Sequence, residues 1–284
     1  MPLLGKDCRL DLRLPRIMGI LNVTPDSFSD GGRFYDPVAA LGQARQMISD
    51  GADLLDIGGE STRPGAPAVS VQEELDRVLP VIEALRRETA IPVSIDTTKA
   101  PVAAAAVAVG ANFINDISGL QFDPRMAETA ASSGAGLFLM HTRGRPQEMQ
   151  RHTDYSDLLG EVLEFLLQAA QSAIAAGVER QAIAIDPGIG FGKDVVGNLL
   201  LLRRLDRLVA SGYPVLLGTS RKSFIGRILQ QENTAERLAG SLASVALGVA
   251  HGVQIFRVHD VRPAREAALV AWAVREGELP APKD

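Results

Sequence analysis

Eight short apolar runs alternating with helical patterns, glycine stops after those helices, and a polar group at the end of every apolar run predict an α/β chain folded as a (β/α)₈ TIM barrel with a short N-terminal hairpin. The 284 residues suit one such domain spanning 1–284, with a frayed tail from about 277 where Pro280-Ala281-Pro282 follows the last helical pattern. A doubly wound sheet is the competing architecture. It would carry a Gly-rich fingerprint after its first strand, and Gly19-Ile20-Leu21-Asn22 is not that fingerprint.

The hairpin is expected around residues 8–14, plugging the bottom of the barrel. Strands are expected at 17–21, 54–57, 93–95, 113–114, 137–140, 183–185, 215–217 and 255–258, apolar runs of the kind buried on both faces of a parallel sheet. Helices are expected at 37–50, 71–88, 101–109, 124–133, 155–176, 197–210, the pair 224–230 with 235–250, and 262–275. In the fifth of these, Leu158, Val162, Leu163, Leu166 and Ala170 recur at the i, i+3, i+4 spacing that lays a stripe against a sheet. Gly51, Gly110, Gly134, Gly177 and Gly212 each follow a helical pattern and feed the next strand. Repeated strand-helix units imply right-handed crossovers, and eight of them close the sheet.

The net charge of −5 gives no general attraction to nucleic acid or to an anionic membrane, so an anion site requires a local cluster of Arg and Lys. Cys8 is the single cysteine, which excludes an internal disulfide framework or a cysteine-based zinc site and suits a reducing cytoplasm. The first residues lack the charged start and apolar core of a signal peptide, and the apolar runs read as too short for a bilayer. A cytoplasmic protein with no membrane or nucleic-acid partner is expected.

In a barrel the reacting groups sit where the strands end. Strand one ends in Asn22, strand two in Asp56 and then Gly58 to Gly65, strand three in Asp96-Thr97-Thr98-Lys99, and strand four in Asn115-Asp116. Strand five ends in Met140-His141, strand six in Asp186 to Lys193, strand seven in Gly218 to Ser223, and strand eight in Arg257-Val258-His259-Asp260. An Asp after a strand is most often a helix N-cap, and a Lys there a solvated charge. Eight polar endings together point instead to one site.

Asp96, Asn115 and Asp186 stand at the strand ends themselves, where a carboxylate loses water and must find donors. A planar heterocycle with ring NH and exocyclic amino groups supplies such donors. Arg221, Lys222, Arg257 and His259 follow strands seven and eight, where barrels commonly hold phosphate, and Ser223 opens a helix whose amides add donors. Asn22, beside that corner, is a neutral oxygen ligand able to share Mg²⁺ with a diphosphate, so the ion is expected to arrive with the substrate. Arg63, between prolines and glycine, suits closure over an acidic second substrate. Gly188-Ile189-Gly190-Phe191-Gly192-Lys193 has the wrong spacing for a phosphate loop and reads as a turn presenting Phe191. The four histidines show no zinc-protease spacing, and no nucleophile elbow is present.

Asn22-Val23-Thr24-Pro25-Asp26-Ser27-Phe28-Ser29-Asp30-Gly31-Gly32, Gly58 to Gly65, Ile95-Asp96-Thr97, Asn115-Asp116, Asp186 to Lys193, Ser220 to Ser223 and Arg257 to Asp260 together resemble the dihydropteroate synthase family, from about residue 17 to 262. That family condenses 6-hydroxymethyl-7,8-dihydropterin diphosphate with 4-aminobenzoate, is the target of sulfonamides, and acts in folate biosynthesis. The resemblance implies that Asp96, Asn115, Asp186 and Lys222 bind pterin, with Met140 and Gly218 lining the pocket. It implies that Asn22, Arg257 and His259 serve Mg²⁺ and diphosphate. Thr62, Arg63, Pro64, Phe191, Lys222 and Ser223 would form the aminobenzoate side, and the chain would be a homodimer through late helices such as 235–250. Thr98 and Thr142 depart from common family patterns and touch only loop detail. Three alternatives stay open at this stage: a pterin and corrinoid-dependent methyltransferase, an aldolase using Lys222 as a Schiff base, and a non-catalytic pterin carrier.

Overall fold

The computed structural model describes residues 2–24, 37–62 and 65–280. Strand β1 (Leu3–Gly5) pairs antiparallel with β2 (Cys8–Leu10). The hairpin therefore begins earlier than the expected 8–14, because its turn lies at Lys6-Asp7, where Asp7 takes φ 56°. The eight barrel strands are β3 (Arg16–Asn22), β4 (Leu54–Gly58), β5 (Val93–Asp96), β6 (Phe113–Asp116), β7 (Gly136–Met140), β8 (Ile183–Asp186), β9 (Leu216–Leu217) and β10 (Ile255–Val258). All neighbours are parallel, in the order β8-β7-β6-β5-β4-β3-β10-β9. A parallel bridge from Ile185 to Val215 joins the two ends and closes the ring.

Helices α1 (Pro37–Ser49), α2 (Val71–Glu88), α3 (Ala100–Ala108), α4 (Met126–Ser133) and α5 (Leu158–Ala175) alternate with the strands, followed by α6 (Val195–Arg203), α7 (Leu205–Val209), α8 (Ser223–Leu229), α9 (Leu238–Ala250) and α10 (Val261–Glu276). The single helix expected over 197–210 is two, α6 and α7, divided at Arg204, whose φ of −118° leaves the helical range. Ser70, Asp157 and Asp194 cap α2, α5 and α6 by accepting from the amide three residues on.

The expectation that no apolar run reaches bilayer length is corrected by α5, whose 18 residues have a mean hydropathy of 1.2. Its arrangement is that of a barrel helix, with Val162, Leu166, Ala170 and Ala173 buried and Glu164, Gln168 and Gln171 exposed.

Two cores follow from the strand pleat. Side chains facing outward, such as Leu55, Ile57, Ile95, Ile114, Leu139 and Ile185, form the core with the helices. Inside the barrel, Met18, Leu54, Phe113, Phe138, Ala184, Leu216 and Ile255 pack with Leu3 and Leu10 of the hairpin. That rung seals the amino end. Site residues can therefore gather only at the other mouth.

Candidate active site

Two residues beyond each member of the sealed rung, on the same inward face, stand Ile20, Asp56, Asn115, Met140, Asp186, Gly218 and Arg257. Strand β5 contributes Asp96 beside Asn115 in register, and Gly58 pairs with Asp96 on the other side. Asp186 pairs with Met140. The residues expected to read a planar ring thus share one rim.

Charge is concentrated there. The Arg257 guanidinium holds Asp56 through Nε at 2.5 Å and Asp96 through Nη2 at 2.6 Å, and Asn115 Nδ2 donates to the same Asp56 Oδ2 at 2.9 Å. Asp56 is fully buried, while Asp96 and Asp186 keep 6% and 5% exposure, an opening for a ligand. One guanidinium serves two carboxylates, so neither charge is fully compensated. Burial pushes Asp96 up to about 7 against the pull of Arg257, with Asp56 raising it further. Burial likewise raises Asp186 to about 6, opposed by the Gly188 amide, which donates to its Oδ1 at 2.7 Å, and by Lys222. Both acids are therefore set to trade protons near neutrality, and both favour a ligand that brings N–H donors.

Lys222 ends the β9 loop as the N-cap residue of α8, with its Nζ 4.0 Å from the Phe191 ring centroid. Desolvation lowers it to about 8, with Asp186 resisting. Phe191 packs with Ile117, Met140 and Met149 into an apolar wall. Its loop is the turn expected from the sequence: Phe191 N donates to Gly188 O at 3.0 Å, and Gly188 has φ 67°. A Cβ on Gly188 would lie 1.9 Å from His141 O, so only glycine fits between the β7 and β8 loops. Gly218, by contrast, opens space: a Cβ there would stand 3.9 Å from both Arg257 Cβ and Asp186 Oδ2.

His259 lies next to this corner. Its backbone N–H donates to Ser220 Oγ at 3.2 Å, and Nδ1 is 3.0 Å from the same oxygen, so the hydroxyl proton is placed to bond Nδ1 and leave Nε2 as the N–H. Burial, with Arg257 and Arg221 nearby, lowers its pKa to about 3, and the ring is a neutral donor at physiological pH. Arg221 departs from the expected anion cluster. It adopts φ 59° and its guanidinium is bidentate on Asp260, at 3.0 and 2.6 Å. Asp116 also takes the bland role, accepting from Ser118 and Leu120 in a tight turn outside the barrel.

Asn22 ends β3 opposite Gly58, beside the Arg257 and His259 strand. Among the described residues no group of three His, Cys, Asp or Glu could cage a metal ion. A single amide oxygen fits an ion whose remaining ligands are diphosphate oxygens and water. Thr62 lines a cavity of about 330 Å³ that reaches from Asp96 and Thr97 to Arg145 and Gln147. Ser223 is the first residue of α8. Arg63 and Pro64, with most of the loop from 24 to 32, lie outside the described residues.

Two features were not singled out from the sequence. In the sequence Asp56 is only a strand ending, yet it anchors Arg257 and Asn115 from the middle of β4; the period of two from Leu54 is the signal that finds it. Lys99 joins Glu60 to the fully buried Glu74, its Nζ 2.5 Å from Glu74 Oε2, and so pins the start of the loop carrying Thr62.

The chain matches the family described as pterin binding enzyme over residues 18–259. It is 50% identical over 258 residues to the dihydropteroate synthase of Synechocystis sp., covering 91% of this chain and 89% of that protein. A solved Yersinia pestis dihydropteroate synthase with a sulfonamide drug complex superposes with a TM-score of 0.92 at 45% identity, covering 97% of this chain and 100% of the other. A Xanthomonas albilineans dihydropteroate synthase in complex with 7,8-dihydropteroate gives 0.86 at 43% identity, covering 95% and 98%. Matched at this level along nearly its full length, the chain belongs to the dihydropteroate synthase family of pterin binding enzymes.

Proposed function

We infer that this chain is a dihydropteroate synthase, joining 6-hydroxymethyl-7,8-dihydropterin diphosphate to 4-aminobenzoate with release of diphosphate to form 7,8-dihydropteroate. One observation carries the reading beyond family membership. Asp96, Asn115 and Asp186 occupy one rim with Lys222 and Arg257, so acceptors for a pterin edge and cations for its diphosphate tail lie together at one mouth of the barrel. The methyltransferase, aldolase and carrier alternatives give way to it.

The residues fit an SN1-like displacement. Asp96 and Asp186, held near neutrality by burial, ionise against a pterin that gains positive character as the methylene–oxygen bond breaks, so their attraction grows along the reaction. Arg257 and the Nε2–H of His259 bind the departing diphosphate. Lys222, between Asp186 and Phe191, orients the ring at the junction of the two substrates. Thr62, Arg63, Pro64, Phe191 and Ser223 form the aminobenzoate side. The weakly basic arylamine needs a dry, positioned approach to the carbon more than it needs a strong base. Mg²⁺ held by Asn22 and the diphosphate would supply charge neutralisation of the leaving group when bound.

The assay is diphosphate release measured with and without 4-aminobenzoate. Release that depends on the arylamine supports the reading, and release indifferent to it counts against it. Omission of Mg²⁺, and Asn22→Ala, should each raise the KM for pterin diphosphate more than that for 4-aminobenzoate. Sulfonamide competition with the arylamine follows from the same reading. A homodimer through α9 is part of it too, tested by sedimentation.

A further inference from the structure

Lys193 follows the Phe191 turn and is only 3% exposed. Its Nζ lies 2.8 Å from Phe191 O, 3.0 Å from Gly188 O, 3.4 Å from His141 O and 2.9 Å from His141 Nδ1. Among the described residues no carboxylate forms an ion pair with it. A buried ammonium satisfied only by carbonyl dipoles and an imidazole is costly, and a simpler core residue would spare the chain that cost. Burial lowers its pKa to about 7, with Lys222 and Arg143 adding to the effect and Asp186 opposing it. His141 is kept neutral by the same burial, at about 3, so its Nδ1 can accept.

The carbonyls that Lys193 gathers belong to two loops. His141 follows β7 and contacts the Phe165 ring edge-on at 4.9 Å, while Gly188 and Phe191 follow β8. Turning Phe191 O and Gly188 O toward one ammonium sets the direction in which the Phe191 side chain leaves the backbone. That ring is the surface on which the Lys222 ammonium rests.

We infer that Lys193 is a positioning residue: by clamping the Gly188 and Phe191 carbonyls against His141, it fixes the Phe191 wall against Lys222 on the aminobenzoate side of the cavity. The kinetic half of this inference rests on the dihydropteroate synthase reading; the structural half does not.

A double-mutant cycle of F191A and K193M separates action through Phe191 from a general structural role. Each single variant should raise the KM for 4-aminobenzoate about tenfold, and the double variant should rise no more than about twofold beyond F191A. A double variant near one hundredfold, the product of independent effects, overturns the inference, as does an unchanged KM in K193M. If K193M fails to fold, as melting would show, K193Q carries the cycle in a weaker form: its amide has two N–H donors where the ammonium has three, so the rise in KM should be below about tenfold and still absent from the F191A background. A crystal structure of whichever variant folds supplies the independent arm. Loss of the contact between Phe191 and Lys222 supports the inference, and an undisturbed 188–192 turn overturns it. An inactive wild-type protein would instead strike the enzymatic reading and leave this arm standing.

Discussion

The two mouths of the barrel are built by the same strands, one pleat apart, and they are opposites. At the amino end, Leu54, Phe113, Phe138 and Ile255 meet Leu3 and Leu10 of the hairpin, and the Phe113 and Phe138 ring centroids lie 5.3 Å apart. Two residues on, about 7 Å along each strand, the same strands present Asp56, Asn115, Met140 and Arg257. Backbone pairing is indifferent to this change, because the parallel ladder is satisfied by main-chain groups alone. The lower rung can therefore be chosen for cohesion and the upper one for chemistry. At the upper end burial pushes Asp96 and Asp186 toward neutrality, a burden that Arg257 and the Gly188 amide relieve in part.

The largest test of that division strikes the lower rung. Phe138→Ala should cost about 3–5 kcal/mol of stability, since Phe138 is fully buried against a second ring and the hairpin. Urea unfolding measures it, and the folded fraction should keep wild-type KM values. A comparable loss of affinity would mean that the rungs are not separable.

The next strikes the upper rung. Asp96→Asn should lower kcat/KM for pterin diphosphate about a hundredfold, with binding and turnover weakened together. The fold should survive, because Arg257 keeps Asp56. Wild-type rates in this variant would remove Asp96 from the proposed chemistry.

A smaller effect is read in pH. Unfolded Asp releases its proton near 3.8, whereas folded Asp186 holds on to about 6 and Asp96 to about 7. Between those limits the folded state binds more protons than the unfolded one. These two groups therefore make the ligand-free protein lose stability as pH rises from about 4 to 7, with no further loss above. Asp186→Asn should remove its share, on the order of 3 kcal/mol. The melting midpoint of the variant relative to wild type should climb across that window. A constant difference from pH 4 to pH 8 would show that Asp186 is not perturbed.

Most of the fold was legible because each strand is an apolar run short enough to count and each helix is closed by a cap or a glycine. The expected 71–88 helix and α2 coincide. What escaped reading was contact across the chain. Residues 197–210 read as one helix since nothing local marks the break at Arg204, and the hairpin was displaced because Leu12 and Leu14 continue the apolar pattern past its real end. In the site, the rim residues were found by position at strand ends, but their partners were not. Arg221 reads as part of the anion corner because sequence shows charge and hides Asp260, its partner 39 residues away. Lys193 looked like the tail of a glycine loop; no spacing rule announces three carbonyls and an imidazole around one ammonium.

The finest probe of the difference between the rungs is Gly218. Its position corresponds to Leu216 one pleat below, which fills the sealed end. Gly218 is absent from the positive-φ glycines, so alanine meets no backbone strain there. The added methyl would stand 3.9 Å from Arg257 Cβ and from Asp186 Oδ2, an ordinary contact distance. Gly218→Ala should therefore leave the urea midpoint unchanged or slightly raised. It should also occupy volume that a flat ring needs beside Asp186, raising the KM for pterin diphosphate severalfold while kcat at saturation falls by less. If glycine is present only as a turn residue, the variant would show the reverse, lower stability with unchanged KM, and the upper rung would be no more shaped for a ligand than the lower.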